Sequence, residues 1–199
     1  MLGVKKLFFE GIIMIKDKEK KERKTVDKRI LYTKKVLKAA LLNELKNTPY
    51  EKIGIVKLCD SAQISRSAFY LHYEGLDDLL TELVIEALRD NPIIVKYILG
   101  EYGTGKISAE SGQLSPDIEK YNVLLYDMRS LRIIMDIIAS MYKDKFMSDI
   151  MEKKGIPKDE AEMIFYYQMS GMIFTASELG ADSLERIKEI RKFSDKIFK

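Results

Sequence analysis

The chain has 199 residues, of which 46% are apolar and 33% are charged, and its formal net charge is +3. This length and balance fit a globular protein of one or two domains and exclude a largely disordered chain. The chain contains one cysteine and one histidine, which excludes a disulfide framework and a structural zinc site of the Cys/His type, and favours a cytoplasmic setting.

The charges are distributed unevenly along the chain. Residues 1–75 contain 17 Lys and Arg against 9 Asp and Glu, a net of +8, whereas residues 76–199 contain 17 against 22, a net of −5. A basic N-terminal part favours a polyanionic partner such as nucleic acid. The alternative is a solvated charged tail, because much of the excess lies in residues 16–29, and charge alone does not decide between the two.

The first residues, MLGVKKLFFEGIIMIK, have a basic pair and an apolar run, as a signal peptide does. Glu10 interrupts the run and no small-residue cleavage site follows, so we interpret residues 1–24 as a basic arm or as an extended start before Met14. No run of about 18 apolar residues occurs, so we expect no membrane-spanning segment and no membrane partner.

Helical periodicity dominates the rest of the sequence and predicts an all-α fold. The first predicted helix covers 27–47 and stops at Thr48-Pro49. Its predicted inner face consists of Ile30, Leu37, Leu41 and Leu45. A brief connector over 50–53 follows this helix.

Two short helices follow, separated by the break Gln63-Ile64-Ser65. The first covers 55–62, with Gly54 at its N-cap. The second covers 66–73, with Ser65 as its N-cap. An amphipathic helix over 76–89 comes next, and Asn91-Pro92 ends it. Its predicted inner face consists of Leu76, Leu79, Leu80, Leu83, Val84 and Leu88.

The second half of the chain is also predicted to be helical apart from one loop. The predicted elements are a helix over 93–102, a loop over 103–116, a helical stretch over 117–154 with a break near Met128–Arg129, a turn over 155–157, a helix over 158–179 and a last helix over 183–199. The helix over 158–179 is apolar nearly all round, so we expect it to be buried on most sides.

The two short helices and their turn form a helix-turn-helix pattern, which presents the start of the second helix to the major groove of DNA. Arg reads guanine with two hydrogen bonds, and Tyr and His donate to phosphate. The side predicted to face outward comprises Ser65, Arg66, Ser67, Tyr70 and His72. The side predicted to pack inward comprises Ile64, Phe69 and Tyr73. One more packed helix of a small bundle is the alternative, because the pattern is only moderately specific.

The same region resembles a known DNA-binding domain. The run YEKIGIVKLCDSAQISRSAFYLHYEGLDDLL (50–80), preceded by AALLNELKNTP (39–49), is similar to TetR-family transcriptional regulators, above all to the low-GC bacterial form with the pattern CxxAxISRSxFYxHYxxxxDLL. The resemblance implies an all-α homodimer. It implies a helix-turn-helix DNA-binding domain over 25–75, a connecting helix over 76–92, and a larger effector-binding and dimerisation domain over 93–199.

The resemblance also implies which residues contact DNA. These are Arg66, Ser67, Tyr70 and His72, with Ala68 at another base-facing position. Ser65 is included because it lies on the outward side of the helix, and Lys52 and Lys57 because they can compensate for a missing phosphate contact. Three positions depart from the family: Ala68 replaces a common Thr, Gly54 replaces the usual Thr or Ser, and Leu76 replaces a phosphate-binding Lys. Losing one phosphate contact flattens the salt dependence of binding by roughly one unit, and the basic segment 16–38 can compensate.

Eight of the ten methionines lie between Met128 and Met172. Thioether groups adapt to varied ligand shapes, so this region can hold an apolar pocket for a small effector, although ordinary core packing is the alternative for most of its residues. The candidate pocket residues are Met128, Arg132, Met135, Met141, Tyr142, Tyr166 and Met169. Arg129, Arg132 and Asp136 lie one helical turn apart, and surface ion pairing is the favoured interpretation for them.

The resemblance implies that the last two long helices of two chains form a four-helix bundle, and residues 158–199 fit that plan in length. Small residues in the helix 158–179 permit close approach of a second helix. The candidate interface residues are Phe165, Ser170, Gly171, Phe174, Ile187 and Ile190.

Catalysis finds no support in the sequence. GEYGTGKI at 100–107 approximates a phosphate-binding loop, but Ile107 replaces the hydroxyl residue and no strand precedes the glycines, so we interpret it as a flexible loop. Cys59 is predicted to face the core, and no nucleophile and base stand in a recognisable arrangement. We therefore predict no enzymatic activity, no cofactor and no metal.

Together these features predict a cytoplasmic, homodimeric transcriptional regulator. In its simplest form it is a repressor that a small-molecule effector releases from a double-stranded DNA operator, with the helix 76–90 coupling the two parts. The alternative is a TetR-like dimer with weak or lost DNA binding that serves as a ligand- or protein-binding module.

Overall fold

The structure is a computed structural model, and it describes residues 28–90 and 118–179 together with Glu189, Lys192, Phe193 and Lys196. The elements are α1 (Lys28–Leu45), a 3-10 turn (Tyr50–Lys52), α2 (Ile55–Ala62), α3 (Arg66–Tyr70), α4 (Leu76–Asp90), a 3-10 segment (Ile118–Leu125), α5 (Met128–Lys154) and α6 (Lys158–Leu179). These ranges contain no strand, so the all-α prediction is confirmed for them.

Some predictions lie outside the described residues. These are the arm over 1–24, the helix over 93–102 and the loop over 103–116 with its glycines, together with all but four positions of the helix over 183–199.

The N-caps of α2 and α3 lie where they were predicted, and α5 has an N-cap that was not predicted. The Ser65 hydroxyl accepts a hydrogen bond from the Ala68 N–H at 3.1 Å, so Ser65 is the N-cap of α3 as predicted. Gly54 is the N-cap of α2 and offers no side-chain bond. Asp127 is the N-cap of α5, because its carboxylate accepts from the Ser130 N–H at 2.8 Å.

The structure corrects several predicted boundaries and one predicted burial. Helix α1 ends at Leu45 rather than at residue 47, because the next two N–H groups donate only three residues back, and α4 extends one residue further than predicted, to Asp90. Helix α3 ends at Tyr70 rather than Tyr73, because the N–H groups of His72 and Tyr73 both turn back to the Phe69 carbonyl. The stretch predicted as helical from residue 117 begins as a 3-10 segment, and α5 starts after a break at Asp127. Ile30 is 38% exposed rather than part of the inner face, because the described helices leave residues 28–32 uncovered.

The turn between α2 and α3 contains a non-glycine residue in the left-handed backbone region. Gln63 has φ 54° and ψ 38°. Its N–H donates to the Asp60 carbonyl, and the Ile64 N–H donates to the Cys59 carbonyl at 2.9 Å. These bonds satisfy the last carbonyl groups of α2 and set the angle at which α3 leaves.

A single apolar core runs through the described residues. Helix α4 packs on both α1 and α5, so it contacts the N-terminal helices (28–90) and the C-terminal helices (118–179). The fully buried side chains include Leu37, Leu41, Leu58, Phe69, Leu79, Leu80, Leu83, Ile138, Phe165 and Met169. Burial of this set removes enough apolar surface from water to order both groups of helices.

Helices α5 and α6 form an antiparallel pair. Gly155, with φ +65°, ends α5 in the left-handed conformation that glycine adopts without steric cost. The Phe146 and Phe165 ring centroids are 5.3 Å apart, and Lys143, about one turn before Phe146 in α5, contacts Tyr166, the residue after Phe165. None of the described helices combines the length and the apolarity that crossing a lipid bilayer requires.

Candidate nucleic-acid interface

Helix α3 separates polar from apolar side chains. Ser65, Arg66, Ser67 and Tyr70 are exposed, and Phe69 beneath them is fully buried. The Phe69 ring meets the Tyr70 ring edge-on at 5.4 Å, so the buried ring also supports the exposed one. The outward and inward sides predicted for these residues are therefore observed.

The remaining residues predicted for this surface are less available. Ala68 and His72 are partly buried. The Ser65 hydroxyl is already bound to the Ala68 N–H, and it also lies 3.1 Å from the Ser67 hydroxyl. Arg66 and Tyr70 are thus the exposed side chains of α3 with the most freedom to contact a partner, and among the described residues the exposed Ser67 hydroxyl contacts only Ser65.

Two exposed apolar side chains of the two short helices α2 and α3 and the turn after them were missed by sequence reasoning. Leu71 is 80% exposed at the end of α3, and Val56 is 54% exposed in the first turn of α2. The sequence could have indicated the exposure of Leu71. Leu71 follows the buried Phe69 by two positions, which places it on the opposite side of a helix. Apolar side chains on a groove-facing helix contact thymine methyl groups.

The lysines predicted to support DNA binding differ in their surroundings. Lys52 and Lys57 are both exposed. The Lys57 ammonium lies 2.7 Å from the Glu44 carboxylate of α1, whose side chain is only 12% exposed. A phosphate that bound Lys57 would have to replace this carboxylate.

The start of α4 explains what Leu76 does in place of a lysine. Leu76 is partly buried and packs against the core. It contributes to packing, whereas a lysine at this position would supply a positive charge for phosphate. The next residues are acidic, and the Asp78 carboxylate accepts from the Glu74 N–H at 2.9 Å. Asp77 pairs with Arg129 of α5, whose Nη2 lies 2.6 Å from its Oδ2.

Lys34 and Lys38 of α1 are joined to carboxylates of α4. Lys34 Nζ lies 2.8 Å from Glu82, and Lys38 contacts both Glu82 and Glu86. Burial alone would raise the pKa of the Glu82 carboxyl, but the hydrogen bond and charge of Lys34, with Lys38 beside it, hold it below its usual range. These two lysines, which belong to the basic segment 16–38, therefore hold α1 on α4.

The residues predicted for the effector pocket occupy different environments. Met169 is buried, and Met135 and Tyr142 are partly buried against the core. The other four are exposed: Met128, Arg132, Met141 and Tyr166. Arg132 forms a surface pair with Asp136 at 3.3 Å, in line with the favoured interpretation of these charges. The pocket stays a prediction.

The residues predicted for the dimer interface are also divided. Phe165 is 1% exposed and packs inside its own chain. Ser170 is partly buried, whereas Gly171 is exposed and Phe174 is 53% exposed. Ile187 and Ile190 lie outside the described residues.

The structure offers little for catalysis in the ranges 28–90 and 118–179. No three His, Cys, Asp or Glu side chains in these ranges are placed to hold a metal ion. Cys59 is 2% exposed, as predicted, and burial raises the pKa of its thiol, which opposes formation of a nucleophilic thiolate.

In comparisons with known proteins, no family model and no curated protein match this chain.

Proposed function

We propose that the protein is a sequence-selective DNA-binding transcriptional regulator of the TetR type. The observation that carries the proposal is the outer side of α3, where Arg66, Ser67 and Tyr70 are exposed directly above the buried Phe69. A short helix that packs on the core through one side and exposes polar side chains on the other fits the major groove of DNA. The arginine on its exposed side supplies the base-reading contact. The basic N-terminal part of the chain, with a net charge of +8 over residues 1–75, suits a phosphate backbone.

A homodimer is the form in which we propose that the protein binds. Helix α6 has a buried side that packs within the chain and an opposite side on which Met163 and Phe174 are 62% and 53% exposed. Their spacing, with the exposed Gly171 between them, places them along one face of the helix. A second copy of α6 would cover this apolar face, and two α3 helices would then read two half-sites.

Release by a small apolar effector completes the proposal. The adaptable Met and aromatic side chains between α5 and α6 support it, because such surfaces accommodate varied ligands. A ligand that binds one arrangement of the helices better than another shifts the dimer toward that arrangement.

The experiment is a mobility-shift assay with the DNA that flanks the protein's own gene, at several salt concentrations. Wild-type protein should form a salt-sensitive complex that Tyr70→Ala weakens. Tyr126→Ala is the matched control, because Tyr126 is another exposed tyrosine, 60% accessible, located at the end of the 3-10 segment. Absence of any complex at low salt would refute the proposal.

The second candidate is a dimer of the same fold with little DNA binding. Three observations favour it: Leu76 supplies no cation, Asp77 and Asp78 begin α4, and Lys57 is paired with Glu44. Each missing phosphate contact flattens the logarithmic salt dependence by roughly one unit, so the measured slope discriminates between the two candidates.

A further inference from the structure

Tyr50, in the connector between α1 and α2, is bound at both ends to residues from later in the chain. Its backbone N–H donates to the Asp127 carboxylate at 3.3 Å. Its hydroxyl donates to Asp77 Oδ1 at 2.6 Å. Asp127 is the N-cap of α5, and Asp77 lies in the first turn of α4. We call the four residues Tyr50, Asp77, Asp127 and Arg129 the Tyr50 clasp.

Asp127 divides its carboxylate between two tasks. Oδ1 accepts from the Ser130 N–H at 2.8 Å and from the Ser130 hydroxyl at 2.9 Å, while Oδ2 accepts from Tyr50. Asp127 is only 8% exposed, and a carboxylate with so little access to water requires such bonds. The start of α5 and the connector between α1 and α2 therefore depend on the same carboxylate.

Arg129 closes the clasp from α5. Its Nη2 and Nε lie 2.6 and 3.3 Å from the two oxygens of Asp77, a two-point contact that fixes orientation as well as distance. Asp77 follows Tyr70, the last residue of α3, by seven residues. The clasp thus holds the chain immediately after the helix that we propose to read DNA.

A second polar attachment lies near the other end of α4. The Tyr121 hydroxyl is 3.2 Å from Glu86 and 3.3 Å from Asp90. The rise of an α-helix places Glu86 roughly 14 Å from Asp77 along α4. This second attachment joins α4 to the 3-10 segment, whereas the Tyr50 clasp joins the N-terminal helices to α5 itself. Apolar packing between α4 and α5 is non-directional, so directional polar contacts are candidates for fixing the orientation.

Helix α6 is connected to the same place. The Ser177 hydroxyl, in the last turns of α6, donates to the Leu125 carbonyl, two residues before Asp127. The C-terminal part of α6 is therefore bonded to the chain two residues before the Asp127 that binds Tyr50.

We propose that Tyr50 is a positioning residue for α3: the Tyr50 clasp sets the orientation of the N-terminal helices on α5, and opening it reorients α3. Its meaning for DNA binding rests on the proposed function. The orientation itself can be measured without DNA, so the two proposals can fail separately.

The experiment measures a distance within the full chain. Nitroxide labels are attached at Ser61→Cys on α2 and Ser148→Cys on α5, two exposed positions, while the buried Cys59 is left in place. Labelled protein is diluted into excess unlabelled protein, so that only distances within one chain are recorded by pulsed electron resonance. The Asp77 side of the clasp is opened by Tyr50→Phe together with Arg129→Met, which removes all three side-chain hydrogen bonds to Asp77. The backbone bond from Tyr50 to Asp127 and the N-cap of α5 stay intact.

We expect the opened clasp to shift the distance, or to add a second peak, by more than about 2 Å, the scale of a rearrangement rather than of side-chain adjustment. The matched control is Arg132→Met, which breaks a pair inside α5 with Asp136 and should leave the distance unchanged. Tyr50→Phe and Arg129→Met should not be additive, because both act through Asp77.

An unchanged distance in a variant with wild-type helicity and melting temperature would overturn the proposal, since the bonds of Tyr50 and Arg129 to Asp77 would then play no part in the orientation. If the double variant does not fold, Tyr50→Phe alone removes the hydroxyl bond to Asp77 and tests Tyr50 directly. A changed distance with unchanged affinity for the flanking DNA would support the clasp and would count against the proposed function.

Discussion

The outer sides of α3 and α6 differ in the side chains that they expose. On α3 the large apolar ring of Phe69 is buried and the exposed positions include an arginine and two serines. On α6 one apolar side is buried within the chain, and Met163 and Phe174 are exposed on the other. The outer side of α3 is therefore suited to a polar, charged partner, whereas the exposed apolar side of α6 is suited to a protein partner.

The largest expected effect separates the two sides of α6. Phe165→Ala removes a ring that is 1% exposed and packs on Phe146, so the free energy of unfolding should fall by about 3–5 kcal/mol. Phe174→Ala, where the ring is 53% exposed, should change the stability of dilute protein by less than about 0.5 kcal/mol. Urea unfolding followed by circular dichroism measures both values.

The same pair of variants tests the proposed interface. Phe174→Ala should weaken self-association about tenfold, as expected for an aromatic residue near the centre of an interface. Sedimentation velocity at several concentrations measures this. Unchanged self-association would show that the exposed side of α6 is not where two chains meet.

The next effect concerns the polar surface of α3. Arg66→Ala should reduce affinity for the preferred DNA by about 1–3 kcal/mol and should reduce discrimination between sequences. Lys52→Ala should weaken binding to all sequences about equally, because a lysine on phosphate carries no sequence information. Fluorescence anisotropy with a preferred and a scrambled duplex separates these two outcomes, and equal losses for Arg66→Ala would contradict a base-reading role.

A smaller effect tests how the N-terminal helices hold α3. Ser65→Ala removes the bond to the Ala68 N–H and should lower stability by about 1 kcal/mol. Gly54→Ser is the converse, because α2 has no side-chain cap and a Cβ at Gly54 would meet nothing within 4 Å. We expect it to raise the unfolding free energy by a few tenths of a kcal/mol. A loss of stability in Gly54→Ser would show that the cap geometry is not available there.

The smallest effect is a pH dependence. In the folded protein the pKa of Glu82 lies below its ordinary value of 4.5. As the pH falls, Glu82 therefore takes up a proton at a higher pH in the unfolded chain than in the folded one. The stability supplied by its lysine pairs is therefore complete above that ordinary value and is lost as the pH falls through the lower, folded value. With the Glu82 side chain 34% exposed, solvent screening keeps this contribution below about 1 kcal/mol.

The measurement compares wild-type protein with Glu82→Gln by urea unfolding between pH 7 and pH 3. The difference in unfolding free energy should shrink as the pH falls. Glu51→Gln, at an exposed position, controls for the general loss of negative charge. If this difference grew as the pH fell, the ionised Glu82 carboxylate would not be the form that stabilises the folded protein.

Local chemistry made much of the fold predictable. The cap at Ser65 and the helix Lys158–Leu179 were predicted with their observed bounds, because they depend on residues within a turn or on a long apolar run. Helix α3 was predicted three residues too long. Its periodicity continues to Tyr73, while the chain turns at Phe69 to begin the approach to α4.

Contacts between distant residues were not predictable in the same way. Tyr50 and Asp127 are 77 positions apart, and no local pattern indicates that they meet. The Asp127-x-x-Ser130 spacing could have indicated a helix N-cap, but not that its second oxygen would bind Tyr50. The pairing of Lys57 with Glu44 likewise depends on how α1 crosses α2, so a lysine predicted to be available for phosphate already has a partner.

The left-handed backbone conformation of Gln63, in the turn between α2 and α3, has a practical consequence for protein engineering. A side chain in the left-handed region costs about 1 kcal/mol relative to glycine, and natural chains often retain such unoptimised positions. Gln63→Gly would remove that cost, although the greater freedom of the unfolded chain offsets part of the gain. Gln63 precedes α3 and contributes none of the exposed side chains of that helix. The substitution should therefore give a more stable protein for crystallisation without altering the proposed DNA-binding surface of α3.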